Sequence, residues 1–275
     1  MPISVVLIAI LIGLLTVAAS RRSFSAHLNR IEAGLRAIGA GEGPRSDLPA
    51  EVLALAVRMG ARREGANAVA EFEQSGQMWR APGGKPMDFT ARQTVRIDAP
   101  GFLWRATFAP LGVVAVADYL AGATGGLEAR LLGAIRLAHM VGGGTIYRGE
   151  VLRYLAELPW NPDAILCNRS LDWTVVDPAT IRVATGAGEE RGEVTFELDS
   201  RGLVATARAD ARPYVEKDGR ITQHPWHGRF WDYRPIGGRL MPRAGEVAWT
   251  LEAGEFVYWR GQLTRWNGET PTDRQ

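Results

Sequence analysis

The residues best suited to acid–base chemistry lie on one predicted helix in the middle of the chain. Glu150, Arg153 and Glu157 follow one another at intervals of three and four residues, so they share a helix face and Arg153 can pair with either acid. In a catalytic interpretation, Glu150 or Glu157 is a general acid or base that Arg153 holds, and Trp160 lines a pocket. In a structural interpretation, the same charges pin the helix to a strand. The structural interpretation is favoured, because ion networks are more often structural than catalytic.

A pair of histidines is the second candidate for chemistry. His224 and His227 are three residues apart, but Pro225 prevents the regular helix that would align their imidazoles. A metal site requires a third ligand, and the other histidines and the acids are scattered, so no metal site and no cofactor are predicted. The chain has no GxSxG motif, and Cys167 has no evident partner histidine, so no nucleophilic triad is predicted either.

Charged residues also occur at strand positions that alternation predicts to be buried. Asp118 has the same parity as Val114 and Val116, and Arg260 has the same parity as Tyr258. A buried charge requires a partner from the protein or from a ligand, so either residue could orient a polar headgroup. The predicted ligand-binding residues are Trp104, Asp118, Tyr154, Trp160, Tyr258 and Arg260.

Short strands separated by turn signals make up most of the chain that must position these residues. Strands are predicted at residues 69–79, 87–97, 102–109, 112–120, 127–138, 171–176, 180–185, 192–199, 203–212, 228–234, 246–252 and 255–265. No ten-residue helical pattern separates them, so the sheet is antiparallel, and eleven or twelve strands are too many for a flat sheet. The predicted fold is mainly β with helices (α+β): a large curled antiparallel sheet, or half-barrel, with the helix of Glu150 packed on its concave side.

The amino-terminal residues carry a membrane-type signal. Residues 3–19 are uncharged and mostly apolar, which is sufficient for a short spanning helix, and no Lys or Arg precedes them as in a cleaved signal peptide. We therefore predict a transmembrane anchor at residues 1–22 and a single-pass location in the cell inner membrane. Arg21 and Arg22 follow the segment, and the positive-inside rule would leave the domain in the cytoplasm.

The remaining divisions of the chain follow from periodicity and composition. Residues 23–45 are predicted to form an amphipathic helix, with a narrow apolar stripe, and a linker. A second helix is predicted at residues 49–63, within a single β-rich domain at residues 46–268, and residues 269–275 form a tail. The apolar stripe packs on its own domain in one interpretation, and in another it self-associates or lies on a membrane surface. Its members are Phe24, Leu28, Ile31, Leu35 and Ile38.

Composition excludes several functional classes. A net charge of +2 without a basic run disfavours nucleic-acid binding, and a single cysteine excludes an internal disulfide. Nine tryptophans are unusual and require large pockets, interfaces or a membrane boundary. The sequence gives no indication of the oligomeric state.

Several segments together resemble a bacterial family known only as a domain of unknown function, over about residues 46–265. The segments include PGFLWRA at 100–106, EVLRYLAE at 150–157, PWHG at 225–228 and GEVAW at 245–249. The layout of strands and helix is similar to the half-barrel of lipoprotein-carrier proteins, which cradle acyl chains. The resemblance implies binding or transfer of a hydrophobic or lipid-like molecule near a membrane. The resemblance also favours a domain on the periplasmic side of the membrane, whereas the positive charges after the anchor favour the cytoplasmic side.

Two alternatives remain at this stage. The first is an enzyme that acts on such a ligand through Glu150, Arg153 and Glu157 or through His224 and His227. The second is a structural membrane-associated protein with a packed core. An acid with a raised pKa in a pocket would favour the enzyme. An open apolar cavity would favour the carrier, and the absence of a cavity would favour the structural protein.

Overall fold

The computed structural model describes residues 3–37, 43–62, 69–110, 112–216 and 218–267. Within these ranges the chain forms thirteen strands and four α-helices. The helices are α1 (Ile3–Ala37), α2 (Ala50–Arg58), α3 (Gly144–Ala156) and α4 (Pro162–Cys167). The strands are β1 (Val69–Met78), β2 (Met87–Arg96), β3 (Phe102–Phe108), β4 (Val114–Ala121), β5 (Thr124–Leu131), β6 (Ile135–Gly142), β7 (Asp172–Asp177), β8 (Thr180–Thr185), β9 (Gly192–Leu198), β10 (Val204–Val215), β11 (Ile221–Ile236), β12 (Arg239–Leu251) and β13 (Gly254–Asn267).

All described strands belong to one antiparallel sheet made of two meanders. The order is β6-β5-β4-β3-β2-β1-β13-β12-β11-β10-β9-β8-β7, so the pairing of β1 with β13 joins the meanders and leaves β6 and β7 at the edges. The segment with α3 and α4 carries the chain from one edge to the other, and α3 contacts strands of both meanders, from β4 to β6 and from β8 to β10. The sheet is therefore a curled half-barrel with a helix on its concave side, and the predicted fold class is confirmed.

The segment predicted as one strand at residues 127–138 is in fact the end of β5, a turn and the start of β6. The turn contains Leu132 and Gly133, whose φ angles are +53° and +69°. Two successive positive φ angles are typical of a tight hairpin turn, but leucine is not a residue that favours them. The turn was missed because its first residue carries no turn signal.

Glycines allow α3 to approach the sheet closely. A Cβ atom at Gly125 on β5 would lie 2.8 Å from the Cα atom of Tyr147, and one at Gly192 on β9 would lie 2.7 Å from Cγ1 of Val151. A larger residue at either position would push the helix away from the strand. The depth at which α3 sits in the half-barrel therefore depends on these two glycines.

The second half of α1 packs on the convex face of the sheet. Phe24, Leu28 and Leu35 are buried there against Leu103 and Tyr119. The apolar stripe therefore covers its own domain, as one of the two interpretations predicts. Residue 38, residues 39–42 of the predicted linker and the 269–275 tail lie outside the described residues.

The predicted membrane location is corrected by the structure. A helix needs about 20 consecutive apolar residues to cross a bilayer. Among the residues that the structure describes, no helix combines the length and the apolarity needed for such a crossing. The transmembrane anchor at residues 1–22 and the single-pass location in the inner membrane are therefore wrong.

Candidate functional site

An apolar cavity of about 280 Å³ lies between α3 and the inner face of the sheet. Five of the nine tryptophans line it: Trp104, Trp160, Trp226, Trp249 and Trp259. Val215 and Ile221 also line it and are 43% and 49% exposed, so the cavity reaches the surface between β10 and β11. A mostly apolar concave site with a few polar groups is the usual form of a small-molecule site.

Three of these tryptophans, Trp104, Trp160 and Trp226, are held by hydrogen bonds of their indole N–H groups. Nε1 of Trp160 donates to the carbonyl of Pro242 over 2.8 Å, and Nε1 of Trp104 donates to Oε1 of Gln74 over 2.9 Å. The Trp160 ring also packs edge-on against Phe230, with ring centroids 5.3 Å apart. A buried indole whose N–H is satisfied presents a rigid apolar surface.

Arg153 forms the centre of an ion network on the cavity wall. Its Nη1 donates to Oδ2 of Asp118 on β4, and its Nε donates over 2.8 Å to Oε1 of Glu157, which directly follows α3. Gln93 on β2 completes the network by donating over 2.6 Å to the second oxygen of Glu157. Burial disfavours the guanidinium charge, but Glu157 and Asp118 outweigh it and raise the pKa of Arg153. The network fixes the end of α3 to the sheet.

Glu150 faces the same cavity and lies beside Asp118. It is 8% exposed, and burial, reinforced by the nearby charge of Asp118, raises its pKa well above the ordinary value. Among the described residues, neither Oε2 of Glu150 nor Oδ1 of Asp118 has a hydrogen-bond partner, although the two acids lie close enough for Asp118 to raise the pKa of Glu150. Two adjacent buried acids favour the neutral form of one of them, because like charges so close together repel each other. The cavity wall therefore contains a buried carboxyl group whose neutral form is favoured.

The structure brings most of the predicted site residues to this cavity. The residues that line it are Trp104, Asp118, Glu150, Arg153, Glu157, Trp160 and Tyr258. Tyr154 does not line it: its hydroxyl accepts a hydrogen bond from Asn168 over 2.9 Å and lies 3.4 Å from the carbonyl oxygen of Arg96. Tyr154 therefore ties α3 to the buried segment after α4. No activity or ligand tests these residues, and their functional roles stay predictions.

Arg260 also lies outside the cavity, and a bulge in β13 is the reason. Trp259 pairs with Val247 while Val257 pairs with Ala248, which leaves Tyr258 unpaired. An extra residue inverts the alternation of the strand, so Trp259 faces the cavity and Arg260 does not. The side chain of Arg260 is exposed and pairs with Glu246 at 2.7 Å.

The two candidate histidines lie on opposite faces of β11. His224 packs edge-on against Tyr214 with its Nε2 3.0 Å from the hydroxyl of Thr222, whereas Nε2 of His227 lies 3.0 Å from Glu255. Burial, with the charge of Arg229, lowers the pKa of His227. Neither histidine lines the cavity, and they cannot act as one pair. Over the described ranges no three His, Cys, Asp or Glu side chains are grouped so as to hold a metal ion.

Arg212 is a cavity residue that the sequence analysis missed. Its Nε donates to the carbonyl of Gly149 over 3.2 Å, and its Nη1 donates to the hydroxyl of Tyr258 over 3.3 Å. Along β10, alternation buries Ala207 and Ala209 and would turn position 212 outward. The register with β11 shifts between residues 209 and 212, and Arg212 is buried instead. No local signal in the sequence marks this irregularity.

Comparison with known proteins shows the family to which the chain belongs. The model of DUF6920, described as a family of unknown function, matches residues 46–267. No curated protein matches the chain. A LolA superfamily protein from Nitrosomonas europaea is similar in structure with 12% identity and a TM-score of 0.42, over 80% of this chain and 92% of that one. A DUF1329 family protein from Desulfovibrio piger matches the same shares with 13% identity and a TM-score of 0.45. The predicted membership of an uncharacterised family is thus confirmed.

Proposed function

We propose that this chain, which belongs to the DUF6920 family of unknown function, binds and transfers a hydrophobic or lipid-like molecule in the cavity beneath α3. The observation that carries the proposal is the cavity itself, which is mostly apolar, lined by five tryptophans and open at an apolar rim. Its volume of about 280 Å³ is just below the range of about 300–1,000 Å³ that is usual for small-molecule sites. We therefore expect a ligand with a single medium-length chain. A structural protein with a packed core would leave no such space.

A cavity-filling variant tests the proposal against a matched control. Val116 and Ala115 are neighbours on β4; Val116 lines the cavity, whereas Ala115 packs against the cluster beneath α1. Val116→Phe should reduce the affinity for decanoate and 1-decanol at least tenfold, because the new ring occupies the cavity. Ala115→Phe should leave both affinities within twofold. Titration calorimetry measures the affinities, and urea unfolding checks that both variants are folded.

Native mass spectrometry of the full chain, purified without detergent, complements the titration. We expect a stoichiometric hydrophobic molecule, which solvent extraction then identifies. A clean unliganded mass after incubation with a lipid extract, together with no binding of either decyl compound, contradicts the proposal.

The Glu150–Asp118 pair favours a second candidate function, an enzyme that acts on the same kind of ligand. A carboxyl group whose pKa is raised by burial in an apolar cavity is suited to act as a general acid. Hydrolysis of p-nitrophenyl decanoate by the wild type, and its loss in Glu150→Gln with unchanged decanol affinity, would support the enzyme. If both proteins hydrolyse the ester no faster than buffer does, the enzyme is contradicted and binding is the only function that is supported.

A further inference from the structure

Arg212 differs from the other buried arginine of the cavity in having no acidic partner. The guanidinium of Arg153 is shared between Asp118 and Glu157. Arg212 is 8% exposed, yet among the described residues no Asp or Glu oxygen lies within 4.0 Å of its guanidinium nitrogens, and its Nη2 donates no hydrogen bond. A buried charge without a counterion is unfavourable unless another group supplies the opposite charge.

None of the described acids that face the cavity makes a direct ion pair with Arg212. Asp118 and Glu157 both bind Arg153 instead. Glu246 is paired with Arg229 at 2.8 Å and with Arg260 at 2.7 Å. Burial and the charge of Asp118 raise the pKa of Glu150, although the charge of Arg212 lowers it in part, and Glu150 makes no ion pair with Arg212 within 4.0 Å. Among the described residues, Arg212 is therefore the cation of the cavity wall that has no acid in direct contact.

Aromatic rings hold the Arg212 side chain in place. Its guanidinium carbon lies 4.5 Å from the centroid of the Trp226 ring and 5.4 Å from that of the Trp249 ring. Such cation–π contacts stabilise the charge and orient the plane of the guanidinium but leave its N–H donors free. The site is thus built before any ligand binds.

Tyr258 provides a second donor next to Arg212. Its hydroxyl oxygen accepts hydrogen bonds from Nη1 of Arg212 and, over 3.1 Å, from Nε1 of Trp226. A tyrosine hydroxyl also has one proton to donate, and no acceptor for it is found among the described residues. Two neighbouring donors, one of them charged, match the oxygens of a carboxylate or a phosphate.

We infer that Arg212 and Tyr258 form a subsite for the anionic head of an amphiphilic ligand, a carboxylate or a phosphate monoester. The inference rests on the proposed function, because the apolar chain of the same ligand would occupy the cavity. The subsite lies near the mouth, since Arg212 is three residues from the exposed, cavity-lining Val215 on β10. The head would therefore remain near the opening while the chain reaches the wall of Trp160 and Trp259.

The test compares three probes on the full-length protein at pH 8 by titration calorimetry: decanoate, 1-decanol and inorganic phosphate. The wild type should bind decanoate at least tenfold more tightly than 1-decanol, since the carboxylate pairs with the Arg212 guanidinium. Inorganic phosphate should bind at least a hundredfold more weakly than decanoate, because it has no chain to fill the cavity. A phosphate affinity equal to that of decanoate would show a site for a free anion and overturn the inference.

Variants test whether Arg212 and Tyr258 cause the preference for decanoate over 1-decanol. Arg212→Gln should bind decanoate and 1-decanol equally, with the affinity for 1-decanol within twofold of the wild type. Tyr258→Phe keeps the ring and removes only the hydroxyl, so it should lower the preference at least threefold even if Arg212→Gln fails to fold. Arg260→Gln is the matched control, because it removes an arginine outside the cavity and should keep the full preference.

The outcomes separate the two proposals. Binding of neither decyl compound by the wild type contradicts the proposed function. Binding of both with equal affinity contradicts the anionic subsite and leaves the proposed function intact. A preference for decanoate that survives in Tyr258→Phe and in folded Arg212→Gln also contradicts the subsite.

Discussion

Replacing Glu150 by glutamine should remove a pH-dependent loss of stability. In the folded protein, burial and the proximity of Asp118 raise the pKa of Glu150 well above 4.5, the value that an unperturbed glutamate has in the unfolded chain. Between these two pKa values the folded state retains a proton that the unfolded state has released. The neutral carboxyl group therefore contributes its full stability below pH 4.5, and this contribution is lost as the pH rises towards the folded-state pKa.

The size of the effect follows from the linkage of one proton. Each pH unit between the unfolded and the folded pKa lowers the free energy of unfolding by about 1.4 kcal/mol. Glutamine has nearly the same shape, is neutral at every pH and can donate an N–H to Asp118. The free energy of unfolding of Glu150→Gln, minus that of the wild type, should therefore rise by about 1.4 kcal/mol per pH unit from about pH 5 upward. It should level off above the folded-state pKa.

Urea unfolding followed by tryptophan fluorescence, at half-unit steps from pH 4.5 to 8.5, measures this difference. Glu189→Gln is the control, because Glu189 is exposed and its variant should differ from the wild type by a pH-independent amount. A flat difference for Glu150→Gln, or one that falls as the pH rises, would refute the raised pKa of Glu150 in the folded protein.

Two further expectations concern stability and are measured by urea unfolding at pH 7. Gly125→Ala should destabilise the protein by about 1–3 kcal/mol, since its Cβ would collide with the backbone of Tyr147. In the control Gly142→Ala the Cβ meets a side-chain atom at 3.7 Å, so its free energy of unfolding should stay within about 0.5 kcal/mol of the wild type. Equal losses in the two variants would contradict the close approach of α3 to β5. Asp163→Ala should cost about 3–5 kcal/mol, because it leaves Arg239 buried without the partner that it holds at 2.9 and 2.5 Å. The double variant Asp163→Ala/Arg239→Met should recover part of that loss, because it removes the buried charge of Arg239. If stability is not recovered, the unpaired Arg239 is not the cause of the loss.

The sequence determined those features that depend on neighbouring residues. The spacing of Glu150, Arg153 and Glu157 was sufficient to put them together, because the helical period is fixed by the local backbone. The alternation in β3 and β4 likewise predicted that Trp104 and Asp118 face inward, since each strand keeps its period of two. Turn signals and the absence of long helical patterns predicted an antiparallel sheet that curls.

Only the tertiary structure decided which partners these residues have. Asp118 on β4 meets Glu150 and Arg153 on α3 because the chain returns across the concave face after two more strands, and nothing local encodes that distance. The irregularities in β10 and β13 exchange the roles of two arginines, turning Arg212 into the cavity and Arg260 out of it. Strand alternation is a property of one segment, whereas a bulge is set by how two strands pair. Arg212 could therefore be identified as a cavity residue only from the folded sheet.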